Sequence, residues 1–456
     1  MLQDKCGVIG VWNGPDAAHL AYAGLYAIQH RGQEGAGIAV SDGDHIRLHK
    51  GQGKVVDVFD ADTVKNKLIG NYAIGHTRYS TAGGGAMRNV QPLHAHLAVG
   101  EVAIAHNGQL TNAATLQQQL EEHGAIFQTS SDTEVVFHLM ATHARTSFMD
   151  RLVHAVQQIQ GAFSLVLLHR DQVVGVRDPN GFRPLCLGRK EDSYVLASET
   201  CALDLMGARF IRDVEPGEIV VISRNGVVSH RFAPPQRSHF CVFELIYFSR
   251  PDSLFQDRSI LEIRRALGRK LAEECPAQAD IVINAPDSSN AAALGYADAS
   301  GIPYELGLIR NHYIGRTFIE PSQSIRDWRA RIKYNPVRHV IEGRSVVLVD
   351  DSIVRGTTSR RLIRLLREAG AREVHLRISS PIFAHPCYYG IDTPDYDQLI
   401  GHRLRTPDRI GDQLETDSLH YLSHDGLREV MQATANLTSY CDACFTGNYP
   451  VPIKFS

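Results

Sequence analysis

Two adjacent carboxylates, Asp350 and Asp351, end the apolar run Ser345–Val349, and the polar stretch Ser352-Ile-Val-Arg355-Gly356-Thr357-Thr358-Ser359 follows. A short β-branched run of this kind reads as a strand buried on both faces of a parallel sheet. Beyond it, Leu362, Leu365, Leu366 and Ala369 recur at helical spacing, and Gly370 stands where a helix should stop. Strand, loop and helix in that order make an anion site at the carboxyl end of the strand. Amide N–H groups at the helix start point into the loop. Gly356 allows close backbone approach, and Thr357 and Thr358 carry hydroxyl donors. The two acids suit either a hydrated Mg²⁺ or ribose hydroxyls, and as neighbours on an extended strand they face opposite ways. A capped strand–helix turn would explain Gly-Thr-Thr by itself. The whole segment Val346–Ser359 reads as a ribose-phosphate site. It is not a Walker loop, which needs Gly-x-x-x-x-Gly-Lys-Ser/Thr.

A second chemistry is available at Cys6, in Cys-Gly-Val-Ile-Gly-Val-Trp. A thiol with an ordinary pKa of about 8.5 is a poor nucleophile at neutral pH without a base. A free α-amine, with pKa of about 7.7–8.0, could take its proton, whereas an amide nitrogen could not. Cys6 therefore has its base only if the Lys5–Cys6 bond is cut, making residues 1–5 a propeptide. Taken alone, Cys6 reads better as a small buried residue at a strand start. A third candidate is Cys441-Asp-Ala-Cys444, with Cys241 and Cys387 far away in sequence. Spacing alone leaves a structural zinc or chance open. The redox reading is weak, because the pair does not open a helix after a strand.

The elements that must hold these residues divide the chain in two. In the first half, short apolar strands such as Cys6–Trp12, 37–40, 72–76, 102–106, 164–169 and 217–222 are broken by glycine-rich turns, with helices at 132–144 and 151–160. Clustered strands with separate helices predict stacked sheets between helical layers. A proline-bearing polar stretch at 232–238 is the candidate linker. Beyond it, strands at 281–283, 345–349 and 374–379 alternate with helices at 261–274, 289–301 and 359–370, which predicts βαβ units on a parallel sheet. A further strand and helix (417–423, 427–434) precede the cysteine-bearing tail.

With 456 residues, 43% apolar and 21% charged, the chain has room for two or three ordinary globular domains. A net charge of −3 gives no basic field for nucleic acid, and no apolar run approaches a membrane span. No signal peptide is evident, so a cytoplasmic location is the default. There the eight cysteines should be reduced, which favours catalytic or metal-binding use over disulfides.

The motifs together resemble the glutamine phosphoribosylpyrophosphate amidotransferases over nearly the whole chain. Cys6–Trp12 is similar to the start of an N-terminal nucleophile glutaminase. His30-Arg31-Gly-Gln-Glu-Gly-Ala-Gly37, Gly75-His-Thr-Arg78-Tyr-Ser-Thr81, His106-Asn107-Gly108 and Ser130-Ser-Asp132-Thr-Glu134 follow in that family's order. Gly75–Thr81 departs slightly from the expected pattern, with Arg78 kept. The resemblance implies an αββα sandwich over 6–235 and a type I phosphoribosyltransferase α/β domain over 236–456. It implies Cys6 as nucleophile, with the Asn107 side chain and Gly108 backbone as oxyanion donors. Arg78 would take the glutamine α-carboxylate and Asp132 the α-ammonium, with Arg31 orienting nucleophile or substrate. His30 and His106 would be structural. Asp350, Asp351, Ser352, Arg355, Gly356, Thr357 and Thr358 would bind phosphoribosyl pyrophosphate, with Ser288 beside Mg²⁺. Tyr313–Phe318 and the segment 326–335 look like the stretch ahead of a closing loop and the loop itself.

Phe240-Cys241-Val-Phe-Glu, His385-Pro-Cys387-Tyr-Tyr-Gly-Ile-Asp392 and Cys441-Asp-Ala-Cys444-Phe-Thr-Gly447 are similar to the subgroup that carries a [4Fe–4S] cluster, so one cluster and one Mg²⁺ per subunit are implied. Cys186, Cys201 and Cys275 have no counterpart there. The implied reaction converts glutamine, phosphoribosyl pyrophosphate and water to 5-phosphoribosylamine, glutamate and pyrophosphate, the first step of purine synthesis, with ammonia crossing an internal apolar passage. Purine-nucleotide feedback and a homotetramer are implied too. Glucosamine-phosphate and asparagine synthases share the first half, but lack the Asp350-Asp351 loop in this setting. A catalytically silent sensor of phosphoribosyl pyrophosphate on the same fold is the rival from another class.

Overall fold

The computed structural model describes residues 6–79, 86–143, 146–234, 236–311, 334–393 and 395–453. The expected propeptide, Ser80-Thr81, Tyr313–Phe318 and residues 326–333 of the expected closing loop lie outside them.

The first half is a sandwich of two antiparallel sheets. One runs in the order Arg209–Asp213, Cys186–Lys190, Ser193–Ala197, Gly7–Trp12, Tyr72–Arg78, Gly35–Ser41, Ile46–Gln52. The other runs Gly226–Arg231, Glu218–Ser223, Gln172–Arg177, Gly161–His169, Gly100–Leu110, Leu93–Leu97. Val8, Ala39, Ile74, Ala105, Val166 and Leu196 pack between the sheets. The buried strands carry small and β-branched residues at these positions, which lets two pleated faces approach closely. Helix Ala17–Ala27 covers the outer face of the first sheet through Ala21 and Leu25. Helices Glu134–Thr142 and Phe148–Gln158 cover the second through Val136, Met140 and Leu152. The result is the four-layer αββα arrangement of an N-terminal nucleophile hydrolase. Ser147 starts Phe148–Gln158 with a reciprocal cap, its hydroxyl accepting from the Asp150 amide.

The second half is built on four parallel strands in the order Ile281–Asn284, Ser345–Asp350, Glu373–Ile378, Ser418–Tyr421. Ser345–Asp350 lies inside this sheet and is buried along its whole length. Helices Ile260–Glu274, Asn290–Ser300 and His424–Ala435 cover one face. Thr357–Glu368 and Pro407–Leu414 cover the other, through Leu362, Leu366 and Ile410. This is the phosphoribosyltransferase sheet. The helix after the phosphate loop begins at Thr357, two residues earlier than the leucine spacing predicts, because Gly356 at φ +79° turns the chain directly into it.

Candidate functional site

Cys6 immediately precedes the first strand of the sandwich, and its side chain is buried. The thiol donates weakly to the Tyr79 carbonyl at 3.8 Å. Burial pushes its pKa up, and the charges of Arg78 and Arg31 pull against that rise while Asp132 adds to it. Cations and an anion thus lie within electrostatic reach of the thiol. Arg78 ends strand Tyr72–Arg78, which pairs directly with the nucleophile's strand, Gly7 opposite Thr77.

Asp132 comes from the turn ahead of helix Glu134–Thr142. Burial opposes its charge. His106 beside it, with bonds from the Leu110 amide (2.9 Å) and the Thr133 hydroxyl (3.3 Å), nevertheless holds the carboxyl below the usual range. His106 is buried and contacts Thr133 Oγ1 at 3.0 Å, so it orients the acid rather than facing the thiol. Asn107 and Gly108 follow it on strand Gly100–Leu110. The Asn107 side chain is fully buried, and among the described residues neither its oxygen nor its nitrogen has a hydrogen-bond partner. An unsatisfied buried amide costs about 1–3 kcal/mol, so a ligand oxygen that accepts from it is strongly favoured. Gly108 sits at φ +147°, and a Cβ there would stand 2.0 Å from the Ala162 carbonyl oxygen. Only glycine fits.

Arg31 is fully buried, and its Nε donates to the Cys6 carbonyl at 3.2 Å. Its two Nη atoms reach Glu244, at 3.0 and 2.7 Å, and Nη1 also bonds Glu199. Burial weighs against a buried guanidinium, yet Glu244 and Glu199 hold it protonated. The motif search did not single out Glu199 or Glu244. Glu244 belongs to the second half of the chain and ends the motif Phe240-Cys241-Val-Phe-Glu, which gives no sign of its contact with Arg31. Its only local signal is an acid inside the apolar run Cys241–Phe248.

The residues expected to form the phosphate loop come together in the structure. Asp350, Asp351, Ser352, Arg355, Gly356, Thr357 and Thr358 line one pocket of about 60 Å³ with Ser288. Tyr247 also lines it and was not foreseen, and so does Tyr334, which falls within the expected closing loop 326–335. Burial pushes the Asp350 carboxyl well up, and the neighbouring Asp351 charge adds to this. Burial also raises Asp351, against hydrogen bonds from Ser288 (2.5 Å) and Ser352 (2.8 Å) and the Arg264 charge. The two acids thus have different surroundings, as alternation along the strand predicts. Two crowded buried carboxylates fit a divalent cation, which would relieve their repulsion. The glycine has a further reason. A Cβ on Gly356 would meet Ile400 Cδ1 at 2.8 Å, so the site limits bulk on the packing side as well as requiring positive φ.

Cys241, Cys387, Cys441 and Cys444 line one pocket, together with Phe182, Arg183 and Tyr389. Cys241 and Cys441 are joined by a parallel bridge, with the Val242 amide donating to the Cys441 carbonyl at 3.1 Å. The Cys444 carbonyl accepts from the amides of Ala384 and His385, both at 3.0 Å. Among the described residues no three metal-binding side chains converge on a single ion. The four cysteines line a cavity of about 10 Å³. Burial pushes Cys241 up to about 11 and Cys441 and Cys444 well above their ordinary value. The fully buried Arg183 lies within electrostatic reach of Cys241, Cys387 and Cys441. Four thiols with a buried cation suit an anionic thiolate cluster. Cys186 and Cys201 are buried apart, and Cys275 donates to the Tyr421 carbonyl at 3.6 Å.

Residues 76–205 match the family model for a glutamine amidotransferase domain. Over 98% of its length the chain is 50% identical to the chloroplastic amidophosphoribosyltransferase 1 of Arabidopsis thaliana, covering 79% of that protein. It is 48% identical to the amidophosphoribosyltransferase of Bacillus subtilis, with 99% of this chain and 95% of that protein aligned. A solved structure described as glutamine phosphoribosylpyrophosphate amidotransferase from B. subtilis, complexed with ADP and GMP, superposes with a TM-score of 0.93. It is 47% identical, and 98% of each chain is covered.

Proposed function

The chain belongs to the amidophosphoribosyltransferase family, glycosyltransferase-type enzymes of purine biosynthesis, and on that premise we propose how its residues divide the work. Residues 6–235 carry the glutaminase and 236–456 the phosphoribosyl transfer. Cys6 attacks the glutamine side-chain carbonyl once removal of residues 1–5 has freed its α-amine to accept the thiol proton. Arg78 holds the substrate α-carboxylate, Asp132 its α-ammonium, and the Asn107 amide with the Gly108 N–H receives the developing oxyanion. Ammonia leaves as the glutamyl thioester forms, and water then releases glutamate. At the second site the loop amides, Arg355, Thr357 and Thr358 hold the phosphates. Asp350, Asp351 and Ser288 would hold Mg²⁺, which neutralises the pyrophosphate leaving group. Ammonia attacks the ribose carbon from which pyrophosphate departs.

The observation that carries this reading is the buried Cys6 thiol with the cation of Arg78 and the anion of Asp132 both within electrostatic reach, the pair a zwitterionic amino acid needs. Cys6→Ala should abolish glutamine-dependent pyrophosphate release, a loss of up to about 10⁶-fold, while ammonia-dependent release survives. Loss of both activities, or of neither, would sink the assignment. Intact mass of the active enzyme reads the propeptide directly, and active protein retaining residues 1–5 would overturn that step.

The four cysteines fit a [4Fe–4S] cluster that ties the linker, the sheet and the tail together, a structural use. Iron and sulfide analysis on anaerobically purified protein checks it. Purine nucleotides as inhibitors are supported by the ADP and GMP complex of the B. subtilis relative, and a homotetramer by the family resemblance. Among the described residues no helix is long and apolar enough to cross a membrane. A cytoplasmic setting, where thiols stay reduced, suits the free cysteines.

A further inference from the structure

The segment that follows Cys387 touches the glutaminase site by two separate routes. Gly390 sits at φ +99°, and a Cβ placed there would stand 2.9, 3.1 and 3.2 Å from the backbone carbon, oxygen and Cα of Gly108. The chain beside the cysteine pocket is therefore pressed against the backbone that carries the oxyanion donor. The second route begins one residue earlier. The Tyr389 carbonyl accepts from Arg183 Nε at 3.1 Å and Nη2 at 2.7 Å. Arg183 Nη1 donates to Glu244 Oε1 at 3.1 Å, and Arg31 Nη2 donates to the same oxygen at 2.7 Å. Arg31 Nε closes the route on the Cys6 carbonyl at 3.2 Å. Arg183, Glu244 and Arg31 are each at most 1% exposed.

A surface ion pair could shift without consequence, but this chain of contacts cannot. Every member is dry, and removing one partner leaves a buried charge uncompensated. Both routes start within three residues of a cysteine of the pocket, and they end on Cys6 and Gly108. We propose that the Tyr389-Gly390 segment and the Arg183–Glu244–Arg31 chain position the glutaminase nucleophile and oxyanion hole. On this account the wall of the cysteine pocket is part of the scaffold of the first active site. The inference rests on the reading of Cys6 and Gly108 given above.

Gly390→Ala and Glu244→Gln test the two routes separately. Each is assayed for glutamine hydrolysis, for ammonia-dependent pyrophosphate release, and for labelling of Cys6 by a glutamine-analogue diazoketone followed by mass spectrometry. Iron content is measured alongside. For each variant, glutamine kcat and the labelling rate should fall by about tenfold to a hundredfold, the scale of a small misplacement of reacting groups. Ammonia-dependent release and iron content should hold, and Glu244→Asp should restore part of the loss. Equal falls in both activities would mean a general loss of structure and overturn the proposal, as would an unchanged labelling rate. Failure of the underlying reading shows itself elsewhere, as glutamine hydrolysis that survives Cys6→Ala.

Discussion

The two sites solve opposite electrostatic problems. Around Cys6, the charges are already matched. Arg31 lies between Glu199 and Glu244, and the Leu110 amide and Thr133 hydroxyl support Asp132. Among the described residues the Asn107 amide is left without a partner at both its nitrogen and its oxygen, and a substrate carbonyl would accept from the nitrogen. Around Asp350 and Asp351, the charges are not matched. Two buried carboxylates crowd each other, with hydroxyls and the Arg264 charge easing only Asp351. The charges around Cys6 are balanced by the protein's own groups, whereas the crowding of Asp350 and Asp351 is what the proposed cation would relieve. The first site should therefore respond to changes in geometry and the second to changes in charge.

The most forceful way to break this contrast is Asp351→Asn. Removing a cation-binding charge should cut glutamine- and ammonia-dependent pyrophosphate release alike by about 10³-fold, on the scale of several kcal/mol of charge stabilisation. If ammonia-dependent release persisted, the cation would not be held there. Next in size is Asn107→Ala, which removes an oxyanion donor. Glutamine-dependent kcat should fall about 10²- to 10³-fold while ammonia-dependent turnover is kept.

A third experiment uses pH. Burial raises both aspartates in the folded chain, so their contribution to stability is present below the ordinary carboxylate pKa and is lost as pH rises and they ionise. Mg²⁺ needs the ionised pair and releases protons when it binds. Its stabilisation, read as a shift in melting temperature, should be larger at about pH 8 than at about pH 5. A shift independent of pH would place the ion elsewhere. The smallest effect belongs to Gly356→Ala. Positive φ and the 2.8 Å approach to Ile400 should cost about 1–3 kcal/mol, lowering the melting temperature by several degrees.

How much of this was legible in the sequence depended on contiguity. The phosphate loop is one unbroken segment, so strand, acids, glycine and helix could be read together. The glutamine site is four short motifs, and each carries a residue whose chemistry is plain by itself. The contacts of Glu199, Glu244, Arg183 and Gly390 were not readable, although Glu244 and Gly390 stand inside the cysteine motifs. Their meaning lies in contacts between residues as far as 282 positions apart, such as Gly390 against Gly108. Among the elements, helix Ala17–Ala27 escaped because Ala21, Gly24 and Leu25 pack tightly on the sheet without large side chains. Strand Ile46–Gln52 escaped because it is a half-exposed edge with mixed polarity. Gly356 was read as a concession to the anion, but it also makes room for Ile400.

The parallel bridge between Cys241 and Cys441 has a consequence for the order in which the chain becomes a protein. The ribosome delivers residues from the amino end, and most of the sandwich can close as it emerges. The partner of Cys241 arrives 200 residues later. Until Cys441-Asp-Ala-Cys444 is released, the Phe240 carbonyl and the Val242 amide lack the strand that satisfies them. The backbone around Cys241 therefore waits for a segment made 200 residues later before its bridging hydrogen bonds can form.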